Sequence, residues 1–146
     1  MAEVEIDPET GFIKLLNYVA VDDIGTIINP MIVEGQIHGG LAQGIGQVLM
    51  ENCSYDPKNG QLLSGSFLDY ALPRADTIPE IISEFDQNYP CTHNPIGAKG
   101  VGESGAIGAP AAITGSVLDA LKPLGVTDLQ MPLTSEAVWR AISLHQ

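Results

Sequence analysis

The sequence predicts an α+β fold: one domain in which β-hairpins and a mixed sheet pack against about three helices. Three observations carry that expectation. Short segments alternate polar and apolar residues at period two, as half-buried strands do. Two longer segments carry apolar residues at helical spacing. Turn residues sit between the strands of two candidate hairpins. With 146 residues the chain has the length of one ordinary domain, residues 1–146.

The elements follow in order. Glu3-Val4-Glu5-Ile6-Asp7 alternates as a strand, and Asp7-Pro8-Glu9-Thr10-Gly11 is turn chemistry. An apolar strand from Phe12 to Val21 completes a hairpin that nothing precedes, so Met1-Ala2 reads as a start imposed on a longer ancestral chain. Asn29-Pro30 is an N-cap followed by proline at the first helical position, which opens a helix to about Asn52. Its apolar stripe is Val33, Ile37, Leu41, Ile45 and Val48, and its opposite face carries Gln36, Gly40, Gln43 and Gln47. Gly35, Gly39, Gly44 and Gly46 lie in the same helix. Each interior glycine costs roughly 1 kcal/mol relative to alanine, so something must pack close to them.

Ser54–Asp56 and Gln61–Leu63 flank Asn59-Gly60 as a second hairpin. Residues 64–79 are irregular, Glu80 to Phe85 is a short strand, and residues 88–105 form a Pro/Gly-rich loop. A helix from about Ala106 to Leu121 follows, with Pro110 tolerated in its first turn. After a linker over 128–133, Thr134 caps a last helix with Val138, Trp139 and Ile142 on one side.

Composition narrows the function. The formal charge is −12, from 6 Lys+Arg against 18 Asp+Glu, which argues against nucleic acid and anionic membrane as partners. Charged residues make only 16% of the chain, against about 25% in a typical domain. So few charges cover a free surface poorly, and much of it is expected to face another protein or domain. Cys53 and Cys91 form no disulfide framework, so both are expected reduced in a cytoplasmic protein. Neither a signal peptide nor a membrane span is visible.

The chemistry concentrates in Gly97-Ala98-Lys99-Gly100-Val101-Gly102-Glu103-Ser104-Gly105. Gly100 to Gly105 formally matches GxGxxG, but no buried strand leads into it, so a dinucleotide fingerprint is not supported. Glu103 reads either as a general base on bare backbone or as a solvated acid at a helix N-terminus, with Lys99 as its simplest ion partner. The Gln/Gly helix face reads either as small-residue helix packing or as a surface for a neutral, hydrogen-bond-rich ligand such as a pterin. His38, His93, Cys53 and Cys91 show no metal-ligand spacing, and no protein-bound metal is expected. Asp22-Asp23 looks like an ordinary strand-end acid pair.

Taken together, several segments form a recognisable series. It runs from Val21-Asp22-Asp23-Ile24-Gly25 through Ile28-Asn29-Pro30, Gly35-Gln36-Ile37-His38-Gly39-Gly40 and Gln43-Gly44-Ile45-Gly46. Asp69-Tyr70-Ala71-Leu72-Pro73 and Asn94-Pro95-Ile96-Gly97-Ala98-Lys99-Gly100-Val101-Gly102-Glu103 continue it. Their order and spacing resemble the C-terminal part of the molybdenum-binding large subunit of the xanthine dehydrogenase/aldehyde oxidase/carbon monoxide dehydrogenase family, from about Glu3 to Ile142.

The resemblance implies a C-terminal molybdopterin-binding domain in a molybdenum hydroxylase. Such an enzyme oxidises an aldehyde, an N-heteroaromatic or a similar small molecule, with water as oxygen source. It implies that Glu103 is the general base beside the molybdenum centre. The loop backbone around Lys99, Gly100, Val101 and Gly102 would touch the cofactor, and Gln36 would hydrogen-bond near the pterin, with the helix glycines allowing close approach. The cofactor implied is molybdopterin with molybdenum, in the cytosine dinucleotide form, the metal being held by the pterin dithiolene. The remainder of the large subunit, an iron–sulfur subunit and an FAD subunit are the implied partners. Family large subunits are several times longer, so this chain alone is expected to be inactive. A non-catalytic assembly module that kept the fold is the alternative of a different class; a stand-alone nucleotide binder is a third.

Overall fold

The computed structural model describes residues 1–145. Its elements run β1 (Ala2–Ile6), β2 (Ile13–Asp23), α1 (Pro30–Leu49), β3 (Glu80–Asp86), α2 (Ser104–Leu121) and α3 (Ser135–Ser143), with a 3₁₀ turn at Lys122–Leu124. The sheet is three-stranded in the order β1-β2-β3. β1 lies antiparallel to β2 and β3 lies parallel to it, so the sheet is mixed as expected. The parallel pair is joined through α1, because parallel neighbours need a crossover.

The first hairpin closes as its turn residues dictate. The Asp7 carboxylate accepts from the Glu9 N–H at 2.9 Å and the Thr10 hydroxyl at 2.7 Å. Register shifts between Glu3/Val4, where Leu16 is the extra residue on β2. That bulge changes the inward parity of β2: Ile13 and Leu15 are buried before it and Tyr18 after it.

α1 begins where its cap places it, with the Asn29 Oδ1 accepting from the Ile32 N–H at 3.2 Å. Ile37, Leu41, Ile45 and Val48 are buried along one stripe and meet Ala109, Ile113, Val117 and Leu121 of α2. α3 adds Val138 and Ile142 under its Thr134 cap, whose Oγ1 accepts from the Ala137 N–H at 3.3 Å.

Several boundaries differ from the sequence expectation. α1 ends at Leu49, not Asn52. The second hairpin is reduced to a single bridge, Tyr55 to Leu62, too short to count as strands. Trp139 is 46% exposed, so only Val138 and Ile142 of the expected trio enter the core. α2 starts at Ser104 and not Ala106, which puts Pro110 inside the helix. A proline there removes a helical N–H and crowds the preceding turn. The Pro110 ring faces Gly44 of α1, where a Cβ would sit 3.5 Å from the ring Cδ.

Candidate functional site

The glycine loop is tied at its base to the end of β2. The Gly97 carbonyl accepts from the Thr26 N–H at 3.0 Å and the Cys91 N–H at 2.9 Å. The Lys99 N–H donates to the Ile24 carbonyl at 3.0 Å. Asn94 shapes the bend: its Oδ1 accepts from the Ile96 N–H at 3.1 Å and the Gly97 N–H at 2.7 Å, and its Nδ2 donates to the Ala98 carbonyl at 3.0 Å. Gly25 has φ 61, and a Cβ there would lie 2.3 Å from the Gly97 oxygen. Only glycine allows the two segments to interlock so closely.

Beyond Lys99 the backbone is bare. A Cβ on Gly100 would meet nothing within 4 Å. Among the described residues the N–H groups of Gly100, Val101, Gly102 and Glu103 have no internal partner. Exposed donors of this kind must be satisfied by solvent or by a ligand. A Cβ on Gly102 would lie 3.7 Å from the Gln36 Oε1, so the amide from α1 and the loop form one face. Glu103 is exposed and occupies the N-cap position of α2, but its side chain makes no capping hydrogen bond. Capping therefore does not account for the carboxylate.

Lys99 is not the ion partner of Glu103. Its Nζ lies 2.6 Å from Asp23 Oδ2, while Asp23 Oδ1 accepts from the Gly25 N–H at 3.1 Å. These contacts, the Lys99 hydrogen bond first, hold the Asp23 carboxyl below its ordinary value. Asp22 has the opposite tendency, because desolvation raises it. The acid pair at the end of β2 is therefore not ordinary, and Asp23 is the residue that local sequence reading missed. Its signal was the run Asp23-Ile24-Gly25, whose glycine takes a positive φ.

The Gln/Gly face of α1 divides. Gly40 and Gly44 turn to α2: a Cβ on Gly40 would lie 3.0 Å from the Ala106 nitrogen, and one on Gly44 would lie 2.6 Å from the Ala109 Cβ. Gly46 abuts Pro73 and Glu51. These glycines serve packing inside the domain. Gly35 and Gly39 face open space, and Gln36, Gln43 and Gln47 are exposed.

Tyr70 anchors the following segment by donating to the Glu51 carboxylate, and that bond pushes its phenol up to about 12. A groove of about 470 Å³ lined by Phe12, Leu16, Met50 and Thr77 includes none of Gln36, Lys99 or Glu103. Among the described residues no three His, Cys, Asp or Glu side chains are grouped to hold a metal ion, and no helix is long and apolar enough to cross a membrane.

A mixed sheet, a glycine-bearing helix and a bare loop ending in an unengaged carboxylate make a face suited to a flat ligand rich in hydrogen-bonding groups. Residues 1–79 match the molybdopterin cofactor-binding domain model, and the chain belongs to that family. It is 48% identical over 138 residues to the nicotine 6-hydroxylase large subunit of Paenarthrobacter nicotinovorans, covering 94% of this chain and 17% of that protein. It is 44% identical over 142 residues to the carbon monoxide dehydrogenase large chain of Hydrogenophaga pseudoflava, covering 97% of this chain and 17% of that one. The solved quinoline 2-oxidoreductase from Pseudomonas putida 86 superposes with a TM-score of 0.90 at 45% identity, over 96% of this chain and 18% of that structure. The chain thus spans under a fifth of the length of these relatives.

The face fits molybdopterin. The partnerless loop N–H groups can meet acceptors, the Gln36 amide can meet either kind of group, and the open space above Gly100 admits a planar ring.

Proposed function

We propose that residues 1–146 act as the C-terminal cofactor-binding domain of a molybdenum hydroxylase large subunit. The observation that carries this reading is the joint face of Gln36 and the bare backbone of Gly100–Glu103, with the Glu103 carboxylate unused by the fold. Family membership and the names of the relatives support it.

In this reading the backbone of Lys99, Gly100, Val101 and Gly102 lies against molybdopterin, and the Gln36 amide hydrogen-bonds at its edge. When bound, the cofactor supplies the two-electron redox centre, with molybdenum held by the dithiolene and the pterin in its cytosine dinucleotide form. Glu103 is the general base. Its Oε would accept the proton of the water that supplies oxygen to an electrophilic carbon of an aldehyde, an N-heteroaromatic or a similar small substrate, and the hydrogen lost from that carbon would leave with its two electrons to the redox centre that the bound cofactor supplies. A proton acceptor held in position contributes on the order of 10²–10⁴-fold. The backbone N–H groups beside it orient the reacting groups without charge of their own. The rest of the large subunit and the iron–sulfur and FAD subunits complete the enzyme, which is cytoplasmic, and the chain alone does not turn over.

The test is Glu103→Gln in the assembled enzyme. Turnover is expected to fall by at least about 10²-fold with molybdenum and pterin content unchanged. Retained turnover removes Glu103 as the base. A chain that never co-purifies with a molybdopterin-bearing partner would instead identify a non-catalytic assembly module.

A further inference from the structure

We propose that Asp23 and Lys99 are positioning residues that fix where Glu103 stands; this rests on Glu103 being the base. The argument begins with where the loop is held. Lys99 is held twice: its N–H on the Ile24 carbonyl and its Nζ on Asp23. The next firm attachment is Gly105, where a Cβ would lie 2.5 Å from the Ile37 oxygen and 2.6 Å from the Leu41 nitrogen. Between these two points the Val101 carbonyl accepts from the Ser104 N–H at 3.2 Å, the Glu103 carbonyl accepts from the Ala106 and Ile107 N–H groups at 3.0 and 3.1 Å, and the Val101 side chain packs against the core. Gly100 and Gly102, which resist bending least, lie in that span. Glu103 thus stands on the first turn of α2, which is held against α1 through Gly105, and the loop that leads into that turn is set by the end of β2 under Lys99.

The Lys99 side chain faces the protein and not the loop's open side. At 2.6 Å from Asp23, with side chains 33% and 39% exposed, it is an ammonium already paired. Asp23 in turn bridges it to the Gly25 N–H, and Gly25 is the residue interlocked with Gly97. The pair therefore links three points: the end of β2, the turn after it and the loop base. A partly exposed ion pair adds little to global stability. Its effect here is geometric, and a misplacement of about 1 Å in a catalytic group costs on the order of 10²-fold in rate.

The experiment uses the assembled enzyme carrying this chain. Its substrate is whichever of an aldehyde, quinoline, nicotine and carbon monoxide the unaltered enzyme oxidises fastest. Asp23→Asn and Lys99→Met are each expected to lower kcat by about 10- to 100-fold with KM within about twofold. Molybdenum and pterin content stay unchanged, and hydrogen exchange quickens at the bonded amides of Thr26, Gly97 and Lys99 but not in helix α1. Lys99→Arg, which keeps the cation, restores most of kcat and the slow exchange.

Full kcat and unchanged exchange in Asp23→Asn overturn the proposal. So does loss of cofactor in Lys99→Met alone, which would mean that the ammonium touches the cofactor directly. Glu103→Gln keeps the two failures apart. If it turns over normally, the base reading falls and the positioning role with it. If it is inactive while Asp23→Asn is fully active, only the positioning role falls.

Discussion

Asp23 has its carboxylate between the Lys99 ammonium and the Gly25 N–H, and both lower its pKa from the ordinary 3.8. A carboxyl depressed on folding contributes stability above its unfolded value and loses it as pH falls through the folded one. The window therefore lies below about pH 3.8. Asp22, raised by desolvation, runs the other way: its contribution is present in acid and lost as pH rises through its elevated pKa. Denaturation midpoints followed against pH should show Asp23→Asn flattening the acid limb and Asp22→Asn raising stability at neutral pH. Partners at this scale were only half legible in the sequence. The Asn29 and Thr134 caps were readable because their bonds close within three residues. The Lys99 partner was not, because Asp23 reaches it across 76 residues while Glu103 lies close by in the chain.

At the scale of elements, α1 and α2 are pressed together through missing side chains. Gly105 meets the Ile37 carbonyl and the Leu41 nitrogen at distances no Cβ could occupy, whereas Gly115 on the same helix has nothing within 4 Å. The same substitution should therefore have opposite signs at the two positions. Gly105→Ala is expected to destabilise by about 1–3 kcal/mol through overpacking. Gly115→Ala is expected to stabilise by up to about 1 kcal/mol through helix propensity. Thermal or denaturant unfolding of the two variants checks this. Both helices were visible in the periodicity, but the start of α2 was set two residues late because Pro110 was confined to a first turn. What Gly44 on the facing helix admits is Ala109, beside that proline, a tertiary fact. β3 was also recognisable as a strand, yet its parallel pairing to β2 depends on a crossover and not on its own residues.

Across the whole molecule, a charge of −12 coexists with exposed Phe67, Leu68, Ile28, Met31 and Ile107. Mutual repulsion keeps such surfaces apart at low ionic strength, and salt shortens its reach from about 30 Å at 0.01 M to about 3 Å at 1 M. The 146-residue chain by itself should sediment as a monomer in dilute buffer and associate as salt is added. Replacing Phe67 and Leu68 with serine should weaken that association. The low charged fraction pointed to covered surface, but composition could not say which side chains carry it. The crossover between β2 and β3 has a kinetic consequence too. Asp23 meets Asp86, and Gly25 meets Ala98, only after the long intervening stretch has closed on itself. Pairings between distant, parallel segments are slow to form, whereas helices form from local contacts. The interlock under Glu103 is thus expected to form later than α1, so that mutations at Gly25 should change chiefly the unfolding rate while mutations at Ile37 should also slow folding.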